Sequence, residues 1–406
     1  MFLWILLSAT SVHGTSMEFY TGREALHHLI ETQFGTCGAG QEIRIMGYLI
    51  DFETNLGHDT LRQNVIRSMR QGCQVSIVID GTTLNRFQVA RMNLECIGVT
   101  GQRCVVVAKS FQNGGFVVHT KLVSSPEGCV LSSGDINQKP WYDTALQVRN
   151  HPVCKRLNLM FDDLWNVYKP GSVRPKEAAP VDPPSAGLVS LLVSVPYFER
   201  NRFQHQADDY IRTALEVVGN ATSSVFVSDQ FMNAETLCAL MLEKANQGLN
   251  VTVVTNSGPL VDARTEHHVS LLRLRDHENV TFLQSTCAYI HLKTLIVDDD
   301  VLILGSTVNN PSSLFFQHEA SFVIKGEEVK GIAKRTRDYV KDSNKCSPFY
   351  KGEFHFNGLL GSLVQRAYDA LGAKVVSAAD TLALGLRQGT VGEGDTALLR
   401  LGASVH

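Results

Sequence analysis

Apolar and polar positions along the chain alternate between a helical and a strand period, and they do so twice in the same order. In the first half, Glu24–Phe34 reads as a helix and Glu42–Ile50 as a strand. Asp59–Arg70 then reads as an amphipathic helix stopped at Gln71-Gly72, followed by the apolar strand Gln74–Ile79. In the second half the same order is Ala207–Val218 (helix), Ser224–Ser228 (strand), Ala234–Asn246 (helix stopped at Gln247-Gly248) and Asn250–Thr255 (strand). Helix, glycine stop and short β-branched run is the pattern of a βαβ unit with a buried parallel strand. Each half closes with a strand, Asp143–Val148 or Glu319–Ile324, and a helix, His151–Val167 or Glu327–Lys341. The pattern predicts an α/β protein built by internal duplication.

The boundary between the halves is Lys169 to Gly187, where five prolines and two glycines preclude regular structure. The expected organisation is a leader over 1–14, one domain over 15–168, a linker over 169–187, a second domain over 188–343 and a C-terminal tail over 344–406, poorly ordered from Leu382 on. Phe2–Leu7 is apolar, with Val12 and Gly14 placed for cleavage, so a signal peptide and a secreted or extracytoplasmic protein are expected, although no Lys or Arg precedes the run. No later run is long enough for a spanning helix, and the tail carries only a short amphipathic stretch around Leu359–Leu371.

Composition narrows the function classes less than the pattern does. Apolar residues at 44% describe a globular chain, and a net charge of −3 gives no overall basic field for a polyanion. The nine cysteines contain no C-x-x-C pair, so a structural zinc site is not expected, whereas an exported chain can pair some of them and leave at least one over. Sequons at Asn220, Asn250 and Asn279 have meaning only in a host that glycosylates secreted proteins.

The candidate chemistry lies in His291-Leu292-Lys293, followed by Asp298, Gly305-Ser306 and Asn309. A partial copy lies 172 positions earlier: His119-Thr120-Lys121, then Ser133-Gly134 and Asn137. Residues two apart share a strand face, so each His and Lys are expected to project together from Phe116–Val123 and Tyr289–Val297. Imidazole can attack phosphorus or move a proton, Lys supplies fixed charge to phosphoryl oxygens, and Ser and Asn supply neutral donors. Glu319 is placed to bond the distal nitrogen of His291 and fix its tautomer, and Asp143 holds the corresponding place in the first half. Two facing copies provide a nucleophile and a general acid on opposite sides of one phosphorus.

On these residues the chain resembles the phospholipase D superfamily, whose motif runs H-x-K-x4-D-x6-G-S-x2-N; HLKTLIVDDDVLILGSTVN matches every defined position. The phrase Asn309-Asn310-Pro311-Ser312-Ser313, leading to His318-Glu319, is similar to the bacterial cardiolipin-synthase-like and phosphatidylserine-synthase-like branch, and the resemblance covers about Met17 to Ser343. It implies two tandem α/β/α sandwich domains related by pseudo-two-fold symmetry, and metal-independent, cofactor-free displacement through a phosphohistidine. It implies His119 as nucleophile and His291 as acid/base, with Lys121, Lys293, Asn137 and Asn309 clamping the phosphate and Asp143 and Glu319 orienting the rings. Asp298 is counted with this catalytic set, although the family's Asp is mainly a strand-end residue, and Ser133, Gly134, Gly305 and Ser306 are expected to line the phosphate. The first copy departs in having Pro126 at the place of the Asp and an inverted Ser133-Gly134.

The expected substrate is a phospholipid at a membrane surface, with water or an alcohol as acceptor, acted on by a monomer. A nuclease of the same fold and a binding protein with an impaired site are the rival readings. Ser257-Gly258-Pro259 and Gly38-Ala39-Gly40 read as turns, and His27-His28 and His267-His268 as solvated helix positions. Tyr48, Asp51, Gln230 and Phe231 follow strand ends, where α/β proteins bind ligands.

Overall fold

The computed structural model describes residues 16–81, 86–108, 117–139, 141–169, 188–195, 210–232, 234–256, 274–275, 277–285, 289–309, 313–314 and 317–343. The leader, most of the linker, the tail, His267-His268, Ser257-Gly258-Pro259, Cys287 and Cys346 lie outside them. The first half runs β1 (Ser16–Thr21), α1 (Arg23–Thr36), β2 (Glu42–Gly47), α2 (Leu61–Arg70), β3 (Gln74–Asp80), α3 (Arg86–Thr100), β4 (Val105–Ala108), β5 (Val117–Val118), β6 (Lys121–Ser125), β7 (Gly128–Ser132), β8 (Thr144–Arg149) and α4 (Pro152–Tyr168). The second runs β9 (Val189–Ser194), α5 (Tyr210–Gly219), β10 (Ser224–Asp229), α6 (Glu235–Asn246), β11 (Asn250–Asn256), β12 (Val280–Ser285), β13 (Lys293–Val297), β14 (Val301–Gly305), β15 (Gln317–Lys325) and α7 (Glu328–Ser343).

Strand order establishes the duplication more firmly than sequence pattern. The first sheet is ordered β4-β3-β2-β6-β7-β8-β1. The second repeats it as β12-β11-β10-β13-β14-β15-β9. Directions agree pair by pair: the three strands at one side are parallel and the rest antiparallel. β3 and β11 are buried along nearly their whole length, as strands covered on both faces must be. β1, β9, β4, β12 and α3 were not legible as periodic segments.

Three apolar clusters fill the layers. One packs α1, α2 and α3 on the outside of the first sheet, and another packs α5 and α6 on the outside of the second. The third lies between the sheets and joins both halves, with Met160 and Phe161 of α4 and Ile332 and Ala333 of α7 beside Leu146 and Phe322. Local signals place the helix starts. Thr60 caps α2 and forms a reciprocal capping box with Gln63, while Pro152 opens α4 after the His151 cap.

Among the described residues, three disulfides, Cys37–Cys73, Cys96–Cys104 and Cys129–Cys154, lie in the first half, and Cys238 is a buried thiol. Cys37–Cys73 closes a 36-residue separation between the end of α1 and the approach to β3. Replacing both with Ser is expected to cost roughly 3–4 kcal/mol, from the chain entropy restored to the unfolded state. An unchanged urea midpoint for the double variant would contradict this.

Candidate active site

Each motif strand was expected to run unbroken through its His and Lys. Both break at the His instead, because the backbone there leaves its own sheet to pair with the other half. Val117 and Val118 pair with Gln317 and His318 of β15, and Ile290 pairs with Tyr142. His119 N–H donates to His318 O at 3.0 Å, and His291 N–H donates to Tyr142 O at 2.9 Å. The residues that follow these two carbonyls are Glu319 and Asp143.

The exchange corrects the expected partnership of Glu319 with His291. His119 Nδ1 meets Glu319 Oε1 at 2.9 Å, and His291 Nδ1 meets Asp143 Oδ1 at 2.7 Å. Each imidazole takes its carboxylate from the opposite half. Nδ1–H donates to the acid, and Nε2 of neither ring has a hydrogen bond among the described residues. Hydroxyls hold Glu319: Ser306 and Ser313 both donate to it. Asp143 accepts from Ser133 Oγ at 3.3 Å and forms an ion pair with Arg23, which also donates to Asn137 O at 2.7 Å. Nothing in the sequence pattern singled out Arg23, the first residue of α1.

The inverted Ser133-Gly134 is a shift of register and not an inversion. Lys121 pairs with Ser132 across β6 and β7, and Thr294 pairs with Leu304 across β13 and β14. The first hairpin turns through Pro126-Glu127, the second through Asp298-Asp299-Asp300, so the first is one residue shorter. Ser133 therefore stands where Ser306 stands. Ser133 N–H donates to Thr144 O and Ser306 N–H to Ala320 O, both at 2.9 Å. Asp298 is not part of the reacting set. It lies at the far turn with positive φ, and its carboxylate accepts from the backbone N–H of Thr222, Ser223 and Ser224, each at 2.8 Å. Pro126 consequently removes a turn anchor and no reacting group. Gly305 lets β14 approach β15: a Cβ there would lie 2.5 Å from Ser321 Cα and closer still to Ala320 O. Gly305→Ala is expected to cost roughly 1–3 kcal/mol and to lower turnover by displacing Ser306 and Glu319. Wild-type stability and turnover in that variant would remove this role. Gly134 is similarly confined, with an added Cβ 2.6 Å from Asp143 Oδ2.

Both lysines reach back over their own histidine. Lys121 Nζ donates to His119 O at 2.7 Å and lies 3.6 Å from Asp135, while Lys293 Nζ donates to His291 O at 2.8 Å and to Gln230 Oε1 at 3.2 Å. Asp229 accepts from Asn309 N–H and Nδ2 at 2.8 and 2.7 Å, which fixes the orientation of that amide. Asn137 Oδ1 accepts from Lys139 N–H at 2.8 Å, and its buried Nδ2 has no partner among the described residues, a donor open to a phosphoryl oxygen. Tyr48 stands edge-on to His119 at 5.2 Å, and Trp141 and Tyr289 flank His291 at 4.6 and 6.0 Å. Of the expected pocket residues, Tyr48 and Gln230 reach the reacting groups. Asp51 instead accepts from Gln88 at 2.9 Å, and Phe231 N–H donates to Asp229 at 3.1 Å. Asp135 and Asp229 went unread, although each is adjacent in sequence to residues already singled out. Among the described residues, no three His, Cys, Asp or Glu side chains form a group able to hold a metal ion.

Burial pushes both imidazoles below their ordinary value, His291 to about 3, with Lys293 reinforcing the shift and Asp143 opposing it. Burial also lowers Lys293 and raises Asp229, so the two sit with weakened charge. Burial alone would raise Asp143, but His291 and Arg23 outweigh it and hold the carboxyl well below the usual range. His27, expected in solvent, is buried on α1 and pushed down to about 4 by burial and by Arg23. Unfolding lets His291 and His27 bind protons that the folded state refuses. Stability is therefore expected to fall as pH drops from about 6.5 toward 4, at up to ~1.4 kcal/mol per pH unit for each ring. Equal urea midpoints at pH 7 and pH 5 would contradict that expectation.

Residues 215–340 match the family model described as "Cardiolipin synthase, PLD-like domain". The matched residues run from within α5 to within α7 and so span most of the second half. The whole fold is similar to the crystal structure of phosphatidylserine synthase from Haemophilus influenzae Rd KW20, with a TM-score of 0.65 at 12% identity over 89% of this chain and 94% of that one. It is also similar to polyphosphate kinase from Porphyromonas gingivalis, with a TM-score of 0.52 at 12% identity over 81% of this chain and 50% of that one. No curated protein matches the sequence. These findings agree with the superfamily resemblance and with the two-sandwich α/β fold expected from the phospholipase-D-like motifs.

Proposed function

We propose that the chain is a phospholipase-D-like phosphodiesterase or phosphatidyltransferase. In this reading it acts outside the cytoplasm and cleaves the distal phosphodiester of a phospholipid through a phosphohistidine. The observation that carries this reading is the reciprocal pair of His–carboxylate contacts, which gives each ring an Nε2 free to work on phosphorus. The two pairs are unequal. Glu319 is held by hydroxyls, whereas Asp143 shares its charge with Arg23. The less neutralised Glu319 makes His119 the more basic ring, suited to attack. The more neutralised Asp143 makes His291 the stronger acid, suited to protonate the leaving alcohol. An entering diester anion offsets Lys121 and Lys293 and lets His291 hold that proton. His119 Nε2 bonds to phosphorus as the P–O bond to the leaving group breaks. Water, or a second alcohol, then gives its proton to His291 and displaces His119. The lysines and the two Asn amides stabilise the phosphoryl oxygens.

The three disulfides support an oxidising compartment, and the match to a cardiolipin-synthase-type domain supports a phospholipid. No described helix is long and apolar enough to cross a membrane. The test is a panel of short-chain phosphatidylcholine and phosphatidylglycerol in EDTA, with and without glycerol. Headgroup release, with phosphatidylglycerol or a dimeric product when an alcohol is supplied, is expected. No cleavage of any lipid diester would end the proposal. Trp141 and Tyr289 beside His291, with Lys139 Nζ 4.6 Å over Trp141, also suit stacking on an unpaired base, which is the nuclease reading. Cleavage of single-stranded DNA in preference to lipid would favour it.

A further inference from the structure

We propose that Asn220 and Asn250 carry N-linked glycans, and that Asn279 does not, on the pole of the second half opposite the cleft. The inference rests on the exported reading above. The chain contains three Asn-x-Thr triplets, Asn220-Ala221-Thr222, Asn250-Val251-Thr252 and Asn279-Val280-Thr281, and all lie in the second half. Asn310-Pro311-Ser312, in the motif loop, is blocked by its proline.

The three sequence-distant triplets converge in space. β10, β11 and β12 run parallel, so their first residues share one end of the sheet. Asn220 lies just ahead of β10, Asn250 opens β11 and Asn279 immediately precedes β12. Asn250 N–H donates to Ser223 O at 3.1 Å, and Val251 N–H donates to Asn279 O at 3.3 Å. The opposite ends of these strands carry the site: Asp229 of β10 holds Asn309, and Asn256 of β11 holds the backbone of Ile290, beside His291. Six or seven strand residues separate the poles, about 20 Å. All three Asn residues are exposed. Glycans there would project away from the face that must meet a lipid surface.

Room at that pole is limited. Val251 and Val280 are register partners, so Asn250 and Asn279 sit side by side at the spacing of neighbouring strands, roughly 4.8 Å. That gap accommodates the base of one glycan. Asn279 is also committed, since its Nδ2 donates to Ala245 O at 3.0 Å in the last turn of α6. Asn220 and Asn250 have no such side-chain bond among the described residues. The modification joins the amide nitrogen to the anomeric carbon of a polyprenyl-diphosphate-linked oligosaccharide. The bond from that carbon to the diphosphate oxygen breaks, the lipid diphosphate leaves, and the amide gives up one proton.

The test is expression of the full chain in a glycosylating secretory host, once with its own N-terminus and once behind an added cleavable leader. Intact mass before and after peptide N-glycosidase, with deglycosylation in heavy-oxygen water to mark each site, reads the occupancy. Glycans at Asn220 and Asn250 alone are expected, with Asn220→Gln and Asn250→Gln each removing one and Asn279→Gln removing none. An unmodified chain behind the added leader, or a glycan at Asn279, overturns the assignment. Two glycans behind the added leader and none with the native N-terminus would uphold the sites and sink the export reading instead. Glycosylated and deglycosylated protein should turn over a short-chain diester equally; slower turnover of the glycosylated form would place a glycan at the cleft and overturn the polar arrangement.

Discussion

Alanine at His119 is expected to lower phosphodiester turnover by ~10³-fold or more, because no other free nucleophilic nitrogen stands at the attacking position among the described residues. Alanine at His291 should do comparable damage with an alcohol leaving group, for a different reason. The two roles separate with an aryl diester, whose leaving group departs without a proton. His291→Ala should then still form the phosphoryl-enzyme and accumulate it, as an acid-labile adduct and a burst of released phenol. His119→Ala should give no burst with either substrate. The assignment rests on the unequal neighbours of Glu319 and Asp143. A burst that survives in His119→Ala and vanishes in His291→Ala would reverse it.

Asp143→Asn is expected to cost ~10³-fold in turnover, close to the effect of losing the ring it serves. The substitution removes the charge that favours an imidazolium at His291, frees the ring to take the wrong tautomer, and leaves the largely buried Arg23 guanidinium without its counter-charge. The loss should be smaller with the aryl diester than with the alcohol diester, because only the protonation step depends on His291. The alkaline limb of the pH profile should also move. Without the anion His291 binds its proton less well, so the limb that needs protonated His291 moves to lower pH. Equal losses on both substrates, with an unmoved profile, would mean that Asp143 matters only for folding. Arg23→Gln tests the same link from the other side: a freer Asp143 should make His291 the more basic ring and shift that limb upward.

Much of this site was legible in the residues because strand chemistry is local. His and Lys two apart, a break at glycine and a loop bearing Ser and Asn can be read from a single segment. The βαβ order was legible for the same reason, since Gln71-Gly72 and Gln247-Gly248 stop helices whatever packs around them. Contacts made across the two halves were not legible. Symmetry of the motif suggested that Glu319 serves His291; the pairing of His318 with Val118 gives it to His119. The shorter hairpin at Pro126 made Ser133 look displaced, because counting residues cannot reveal where a turn absorbs one. Arg23 stood outside every pattern, since a helix-opening Arg acquires its meaning only from the Asn137 and Asp143 that the fold brings to it.

The crossing of the two acids bears on how such a molecule arose. A single copy of this unit would own an imidazole and an acid that never meet, and would become competent only beside a twin, around a two-fold axis. Fusing the twins into one polypeptide preserves the chemistry unchanged and makes encounter concentration irrelevant. It also releases the copies from having to be identical. Among the described residues, one carries a guanidinium at its acid's side and three sulfur bridges, while the other carries the longer hairpin and the serine clasp. An ancestral homodimer could not have divided that labour, because every change would have struck both rings at once.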